Sequence, residues 1–364
     1  MNTIPFSKEE LKVVGSIPNP YGEVPIEKYN TPITDREAVK RLFARQPVWQ
    51  ICGTGMEYHS FAPAVNPDNI ARAFVADATA KGDEKRKEGG PDMFGIIWEY
   101  VPTAGGSMVR PGNCFVNDAN DLADSLHWPD IRRWEWKSSA TVNTNFLKED
   151  LFNICWFLNG WYERLISIMG FENAAIAMID EDQKGAVKEF FEHLTDLYIE
   201  ILECYLKYYP MIDGFYIHDD WGSQKETFFA PEVAAEMIVP YMRRVTDYLH
   251  SRSKACIIHS CGQNFKQVPN YIAAGWDAWR PQLMNDIEKI YELYGDKIII
   301  AVPLCVPNAE KTSEEQREAA REYANKFCRK EKPSIFNLYS MKEMTPAFHE
   351  ELYRQSRILY GKEY

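Results

Sequence analysis

The chain has no run of about 18 apolar residues, the least that carries a helix across a bilayer. Its N-terminus, MNTIPFSKEELKVV, has no apolar leader core, so a cytoplasmic protein is expected. Positive charge is scarce. Lys and Arg number 41 against 53 Asp and Glu, and the net charge of −12 argues against nucleic acid as a partner. The eight cysteines (52, 114, 155, 204, 256, 261, 305 and 328) form no compact framework. Free thiols are expected, with one or two available to a metal. A Ser nucleophile elbow, a dinucleotide fingerprint and a phosphate loop are all missing, as are internal repeats and low-complexity tracts. Gly105-Gly106 comes nearest to a phosphate loop and reads as a hairpin turn.

What is present is a large apolar inventory, with 45% hydrophobic and 13% aromatic residues over 364 positions. That supports one large core, with aromatic rings to spare for a cavity. Residues 1–44 read as an arm poor in periodicity followed by a short helix over 35–45, capped by Thr34. A strand is expected over 46–53 and a helix over 67–82. Residues 94–113 read as a strand that turns back, a hairpin-like cover. From residue 152 onward, short apolar runs alternate with helical periodicity. Strands are expected near 152–158, 214–217, 255–258, 277–280, 297–302 and 334–338, and a long helix over 231–252. Such alternation implies a parallel sheet, and the expected architecture is α/β, a (β/α)8 barrel over 45–364 with the N-terminal extension and the cover added.

Two of these strands end abruptly on chemistry. The first reads GFYIHDDW and delivers His218, Asp219, Asp220 and Trp221; the second reads ACIIHSCG and delivers His259 and Cys261. Positions i and i+2 of a strand share a face, so His259 and Cys261 can meet at one centre. Imidazole with thiolate suits zinc, which then needs one or two further ligands, and Cys305 at a later strand end is the third candidate. His218, Asp219 and Asp220 are candidate acids, bases or ligands, although His218 and Asp219 alternate in facing. Glu57, Tyr58, His59, Trp221 and Gln282 are candidate substrate contacts, with Glu99 and Arg110 of the cover as weaker ones. The bland reading of each is a core hydrogen bond, a cap or a surface group.

Taken together these stretches resemble the uroporphyrinogen decarboxylase superfamily. The likeness runs from about residue 45 to residue 346. It rests on Arg45-Gln-Pro-Val-Trp49, Asp220-Trp-Gly222, Ala230-Pro231-Glu232, Pro240-Tyr241 and His259-Ser-Cys-Gly262, in that order and spacing. The family fold is a (β/α)8 barrel. Two chemistries occur in it. Decarboxylases follow Pro-Val-Trp with an arginine-rich segment for the substrate's many carboxylates, whereas here the segment is Gln50-Ile-Cys-Gly-Thr-Gly-Met56. They also close with a His-bearing strand, which here reads Asn337-Leu-Tyr-Ser-Met341.

The resemblance therefore points to the other branch, the corrinoid-dependent methyltransferases. It implies a zinc site drawing on the His-x-Cys motif. It also implies a cobalamin or other corrinoid carried by a partner protein, because the chain lacks a cobalamin-ligating motif of its own. In thiol-methylating members the last ligand is a Cys on the final strand, where this chain has Asn337. The layout is most similar to members that demethylate methoxylated aromatics. A homodimer is compatible with the sequence. Two alternatives stay open at this point: a decarboxylase for a less anionic substrate, and a non-catalytic tetrapyrrole- or corrinoid-binding protein.

Overall fold

The computed structural model describes residues 4–17, 25–53, 55–80, 89–103, 106–304, 310–337 and 344–362. The N-terminal arm is more ordered than its composition suggests. It holds an antiparallel pair, β1 (Val13–Ile17) and β2 (Ile26–Tyr29). Buried Glu10 accepts from Arg357 Nε at 2.7 Å and from the Tyr353 hydroxyl at 2.7 Å, which fastens the arm to the C-terminal helix Pro346–Gly361. Arg36, in the helix Asp35–Phe43, pairs with buried Asp213 at 2.8 Å.

The strand β3 (Tyr58–Phe61) begins the main sheet. After the short helix Pro67–Ala71 comes a separate antiparallel sheet of β4 (Gly90–Pro91), β5 (Ile97–Val101) and β6 (Gly106–Val109), the expected hairpin-like cover. The main sheet continues with β7 (Phe152–Phe157), β8 (Gly214–His218), β9 (Ala255–His259), β10 (Ala278–Arg280), β11 (Ile299–Val302) and β12 (Ser334–Phe336). Its seven strands lie parallel in the order β12-β11-β10-β9-β8-β7-β3. The central strands β8, β9 and β11 are buried on both faces, which is why GFYI, ACII and IIAV are continuously apolar rather than alternating.

The two faces form two cores. Phe157, Ile217, Ile258, Trp279, Ile300 and Phe336 point outward into the layer under the helices. Phe152, Ile154, Tyr216, Ile257, Ala278 and Ile335 fill the inside of the curl. Among the described residues the sheet is a curled half-barrel of seven strands, and a closed ring of eight is not seen. The residues expected to form a first strand over 46–53 make one parallel bridge, Ile51 to Ile335, which ties the segment before β3 to β12 at the opposite edge. Two helices are also shorter than their periodicity implies. The helix expected over 67–82 ends at Ala71, and Ala73 at φ 55° turns the chain away. The helix expected over 231–252 is two, Pro231–Met237 and Val239–Ser251, because Pro240 offers no N–H to continue the first.

The cover is held by a buried ionic knot. Arg164 bonds Asp92 at 2.6 Å and also Asp68, and both acids are buried with it. Asp92 further accepts from the N–H groups of Phe94 and Ile96, each at 2.9 Å, and from Trp98 Nε1 at 3.0 Å. Replacing Arg164 by Met leaves two carboxylates buried without their cation. A loss of about 3–5 kcal/mol in urea-unfolding stability is expected, with faster proteolysis of the cover. A loss under about 1 kcal/mol would show that the knot does not hold the cover.

At the other end of the sheet, Glu57 precedes β3. Its Oε2 accepts from the N–H groups of Cys52 and Gly53, each at 2.9 Å, and its carbonyl takes the Phe152 N–H at 2.9 Å. Burial, with the Asp35 charge adding to it, pushes this carboxyl from the ordinary 4.5 up to about 8. The folded-state value is the higher one. Glu57 therefore favours the fold below pH 4.5, and that contribution is lost as pH rises through about 8. The Glu57→Gln variant should melt above wild type beyond about pH 8 and lose that lead on acidification, since it cannot ionise. Parallel melting curves from about pH 5 to about pH 9 would contradict the assignment.

Candidate functional site

Strands β8 and β9 pair in register, so His218 stands beside His259 at their C-terminal ends. The imidazole centroids are 4.5 Å apart. Just beyond the ends, the Cys261 N–H donates to Asp220 Oδ1 at 2.6 Å. His259 Nε2 lies 3.1 Å from Cys261 Sγ, and His218 Nε2 lies 3.8 Å from Asp220 Oδ1. One donor atom from each of His218, Asp220, His259 and Cys261 falls within 4.8 Å of the other three. The two strand tips, 41 residues apart in the chain, thus make a single half-buried cluster.

Glycine allows the loops behind these tips to touch. Gly262 has φ 91°, and a Cβ on it would collide with the backbone of Gly222. The Gln263 N–H closes the contact on the Ser223 carbonyl at 2.8 Å. From β10, Gln282 reaches in: its Nε2 donates to Cys261 Sγ at 3.2 Å and its Oε1 accepts from the Gly262 N–H at 2.8 Å.

His218 is held from behind. Its Nδ1 is 2.7 Å from Glu163 Oε2, which leaves Nε2 for the cluster. Glu163 is bonded in turn by Arg72 at 2.9 Å, and Arg72 lies over the Trp98 ring of the cover at 4.9 Å. Burial would draw the His218 proton affinity down, but the Asp220 and Glu163 carboxylates outweigh it and raise it. At Glu163 burial acts upward, and Arg72 and His218 together bring the carboxyl below its usual range. His259 goes the other way. Burial, reinforced by the neighbouring His218, pushes it down to about 3, so its ring is neutral. Burial and then Asp220 push the Cys261 thiol up.

Asp219 and Trp221 fall on the other side of the sheet. Fully buried Asp219 accepts from the Glu163 N–H at 2.9 Å, the Tyr162 N–H at 3.4 Å and Trp221 Nε1 at 2.9 Å. It caps the helix Trp161–Met169 and so fixes where Glu163 sits. Burial and the Glu163 charge bring it up to about 7. A Cβ at Gly160 would collide with it. Trp221 packs against Phe229 and Tyr271 in the outer core.

Glu57, Tyr58 and His59 stand at the start of β3, opposite the cluster end, and only Tyr58 of the three faces into the inner core. His59 packs outward against Phe146, the rings tilted with centroids 4.8 Å apart. Glu99 and Arg110 pair with each other on the exposed face of the cover at 2.8 Å. Cys305 lies outside the described residues. Sequence reasoning missed Arg72 and Glu163. No local motif marks either, and only the register of β8 and the cap at Asp219 bring them to His218.

The cluster has the chemistry of a divalent-metal site. Two imidazoles, a carboxylate and a thiol are a zinc-type donor set. Ligand atoms of a tetrahedral zinc lie about 3.3–3.8 Å apart. The observed spacing within 4.8 Å needs only small side-chain rotations to reach that. The buried thiol, held protonated by carboxylate neighbours, is also one that a cation would convert to thiolate. The residues present therefore fit the ion.

No family model matches the sequence, and no curated protein sequence matches it. Among solved structures the chain is similar to a methyltransferase from Methanosarcina mazei, at a TM-score of 0.50 and 12% identity, covering 89% of this chain and 98% of that one. A fainter match, to an endo-beta-1,4-mannanase from Thermotoga petrophila, has a TM-score of 0.31 at 10% identity, covers 68% of this chain and 69% of that one, and carries no argument. At these identities the likeness is one of fold alone, over nearly the whole of both chains.

Proposed function

We propose that the chain is a methyltransferase that demethylates a methoxylated, aromatic substrate and passes the methyl group to the cobalt of a separate corrinoid protein, acting in the cytoplasm. The observation that carries this is the convergence of His218, Asp220, His259 and Cys261 at the C-terminal ends of β8 and β9. The fold shared with the methyltransferase from Methanosarcina mazei and the resemblance in the motifs support it. On this reading the sheet belongs to an eight-stranded barrel, with the Ile51 segment, bridged to Ile335, supplying the remaining strand.

His218, Asp220, His259 and Cys261 would hold zinc, and a bound zinc ion supplies a Lewis acid for the leaving oxygen of an aryl methyl ether. The chain's own residues do the rest. Glu163 takes the Nδ1 proton of His218 in a hydrogen bond and fixes Nε2 as the donor atom. Arg72 keeps Glu163 ionised and in place. Asp220 receives the Cys261 N–H, and Gln282 donates to the Cys261 sulfur, so the thiol has one orientation. A corrinoid on the partner would supply the nucleophile for the methyl carbon, and the electron pair of the broken carbon–oxygen bond would stay on the substrate oxygen. The cover bears on the site through Trp98, whose ring lies against the Arg72 guanidinium behind Glu163.

The test is direct. Purified protein should carry about one zinc per chain and methylate cob(I)alamin from a panel of methoxyarenes, read as the change in corrinoid absorbance. Protein that binds no metal and moves no methyl group from any of them would remove this reading. A finer outcome concerns Glu163. Its Gln variant should fold normally yet bind zinc about 10–100-fold more weakly by chelator competition, with an altered visible spectrum after cobalt substitution. Unchanged affinity and spectrum would show that Glu163 does not orient a ligand.

A further inference from the structure

A second set of metal-type donors lies at the opposite end of β9, on its other face. Cys256 stands three residues before His259, about 10 Å down the strand, and points outward where His259 points inward. Beside its thiol are His250, near the end of the helix Val239–Ser251, and Asp277, just ahead of β10. One ligand atom from each of the three lies within 4.8 Å of the other two. His250 Nε2 is 3.0 Å from Asp277 Oδ2.

Local backbone holds each donor in place. The helix gives way to a left-handed turn at Ser253, φ 56°, whose N–H donates to the His250 carbonyl at 2.9 Å. That turn sends the chain back along the helix end, which brings Cys256 to His250. Asp277 and Cys256 are locked together by two bonds. The Asp277 N–H donates to the Cys256 carbonyl at 2.9 Å, and the Cys256 N–H donates to Asp277 Oδ2 at 2.8 Å. The loop before Asp277 is docked on the same helix. Thr246 Oγ1, one turn before His250, donates to the Ala274 carbonyl at 2.6 Å, and a Cβ on Gly275 would collide with that hydroxyl. The donors thus come from three elements whose backbones are already fixed against one another.

An ion pair alone explains His250 and Asp277, since a cation at a helix C-terminus is favourable without any thiol. It says nothing of Cys256. Imidazole, thiolate and carboxylate together are the donor set that zinc and cobalt(II) take in preference to magnesium or calcium. The set is also open on one side. The Cys256 thiol is fully buried, while the side chains of His250 and Asp277 are 38% and 26% exposed. Solvent therefore reaches the outer two donors and can supply a water as the fourth ligand.

We infer that His250, Cys256 and Asp277 form a second divalent-metal site of zinc type, which fastens the end of the helix Val239–Ser251 to the starts of β9 and β10. The site is independent of the methyltransferase reading and shares no residue with the cluster at the strand tips. Three donors with an exposed imidazole hold an ion less tightly than four half-buried ones, so this site fills from added metal rather than during purification.

The experiment is a cobalt(II) titration of the full-length chain carrying His259→Ala and Cys261→Ser, which removes the thiol of the other cluster. A near-ultraviolet thiolate-to-cobalt absorption should still develop and saturate at about one ion per chain. Adding Cys256→Ser should abolish it. Adding His250→Gln, which keeps a hydrogen-bond donor for Asp277, should weaken cobalt binding at least about tenfold, since even a residue behind a ligand is worth that much. Zinc should raise the melting temperature of the double variant and leave that of the His250→Gln form unmoved at the same concentration. Should the double variant fail to fold, the wild-type chain replaces it: the absorption should saturate at about two ions per chain, and at about one after Cys256→Ser. Should Cys256→Ser fail to fold, Asp277→Asn replaces it and should weaken binding as His250→Gln does. No absorption beyond that of the strand-tip cluster, or one that survives these variants, overturns the proposal. A His250→Gln change that lowers the melting temperature equally with and without zinc shows a plain ion pair and overturns it as well.

Discussion

The site depends on the in-register parallel pairing of β8 with β9. Parallel strands with a period of two set each inward residue against one specific neighbour. Here the register places His218 against His259, and the same pairing sets Ile217 against Ile258 in the outer core. A one-residue slip of either strand would turn its histidine into the helix layer and bring Asp219 or Ser260 inward. The apolar outer residues forbid that slip, because Phe215, Ile217, Cys256 and Ile258 are all fully buried against helices. The chemistry is thus positioned by hydrophobic burial on the opposite face of the same two strands.

A second constraint acts through backbone. Past the strand ends the chains must stay close for Asp220 to accept from Cys261, and the Gly222–Gly262 contact is what permits it. Asp219 links that arrangement to the next element. It faces away from the cluster, yet by capping the helix Trp161–Met169 it sets the height of Glu163, and Glu163 sets the ring of His218. Three consecutive residues, His218, Asp219 and Asp220, therefore do three jobs, and the alternation of a strand decides which does which.

Much of this was readable in the residues. The apolar runs ending in HDDW and HSCG announced strand ends with chemistry, and the i, i+2 rule joined His259 to Cys261. The expected cover is there, and most strands from 152 onward lie within a residue or two of their expected places. What could not be read was the company each tip keeps. His218 and Asp220 meet His259 and Cys261 only through pairing across strands, which no single-strand pattern encodes. Arg72 and Glu163 are ordinary-looking charges on a helix end and a helix start. The run at 46–53 had a strand's composition but keeps only one bridge, because the turn that buries Glu57 takes its backbone N–H groups at Cys52 and Gly53. The periodicity over 231–252 was genuine, and Pro240 still divided it.

The electrostatics of the cluster follow from its depth. His259 and Cys261 are shifted in opposite directions, one down and the other up, and both shifts favour the neutral form. Burial is the first cause in each case, and it penalises whichever form carries charge. The carboxylates of Asp220 and Glu163 add to the thiol's shift and are balanced on the far side by Arg72. Under the zinc reading this balance has a consequence for the order of events. A divalent charge placed among these four donors would relieve the thiol, satisfy Asp220 and leave the Arg72–Glu163 pair undisturbed behind His218.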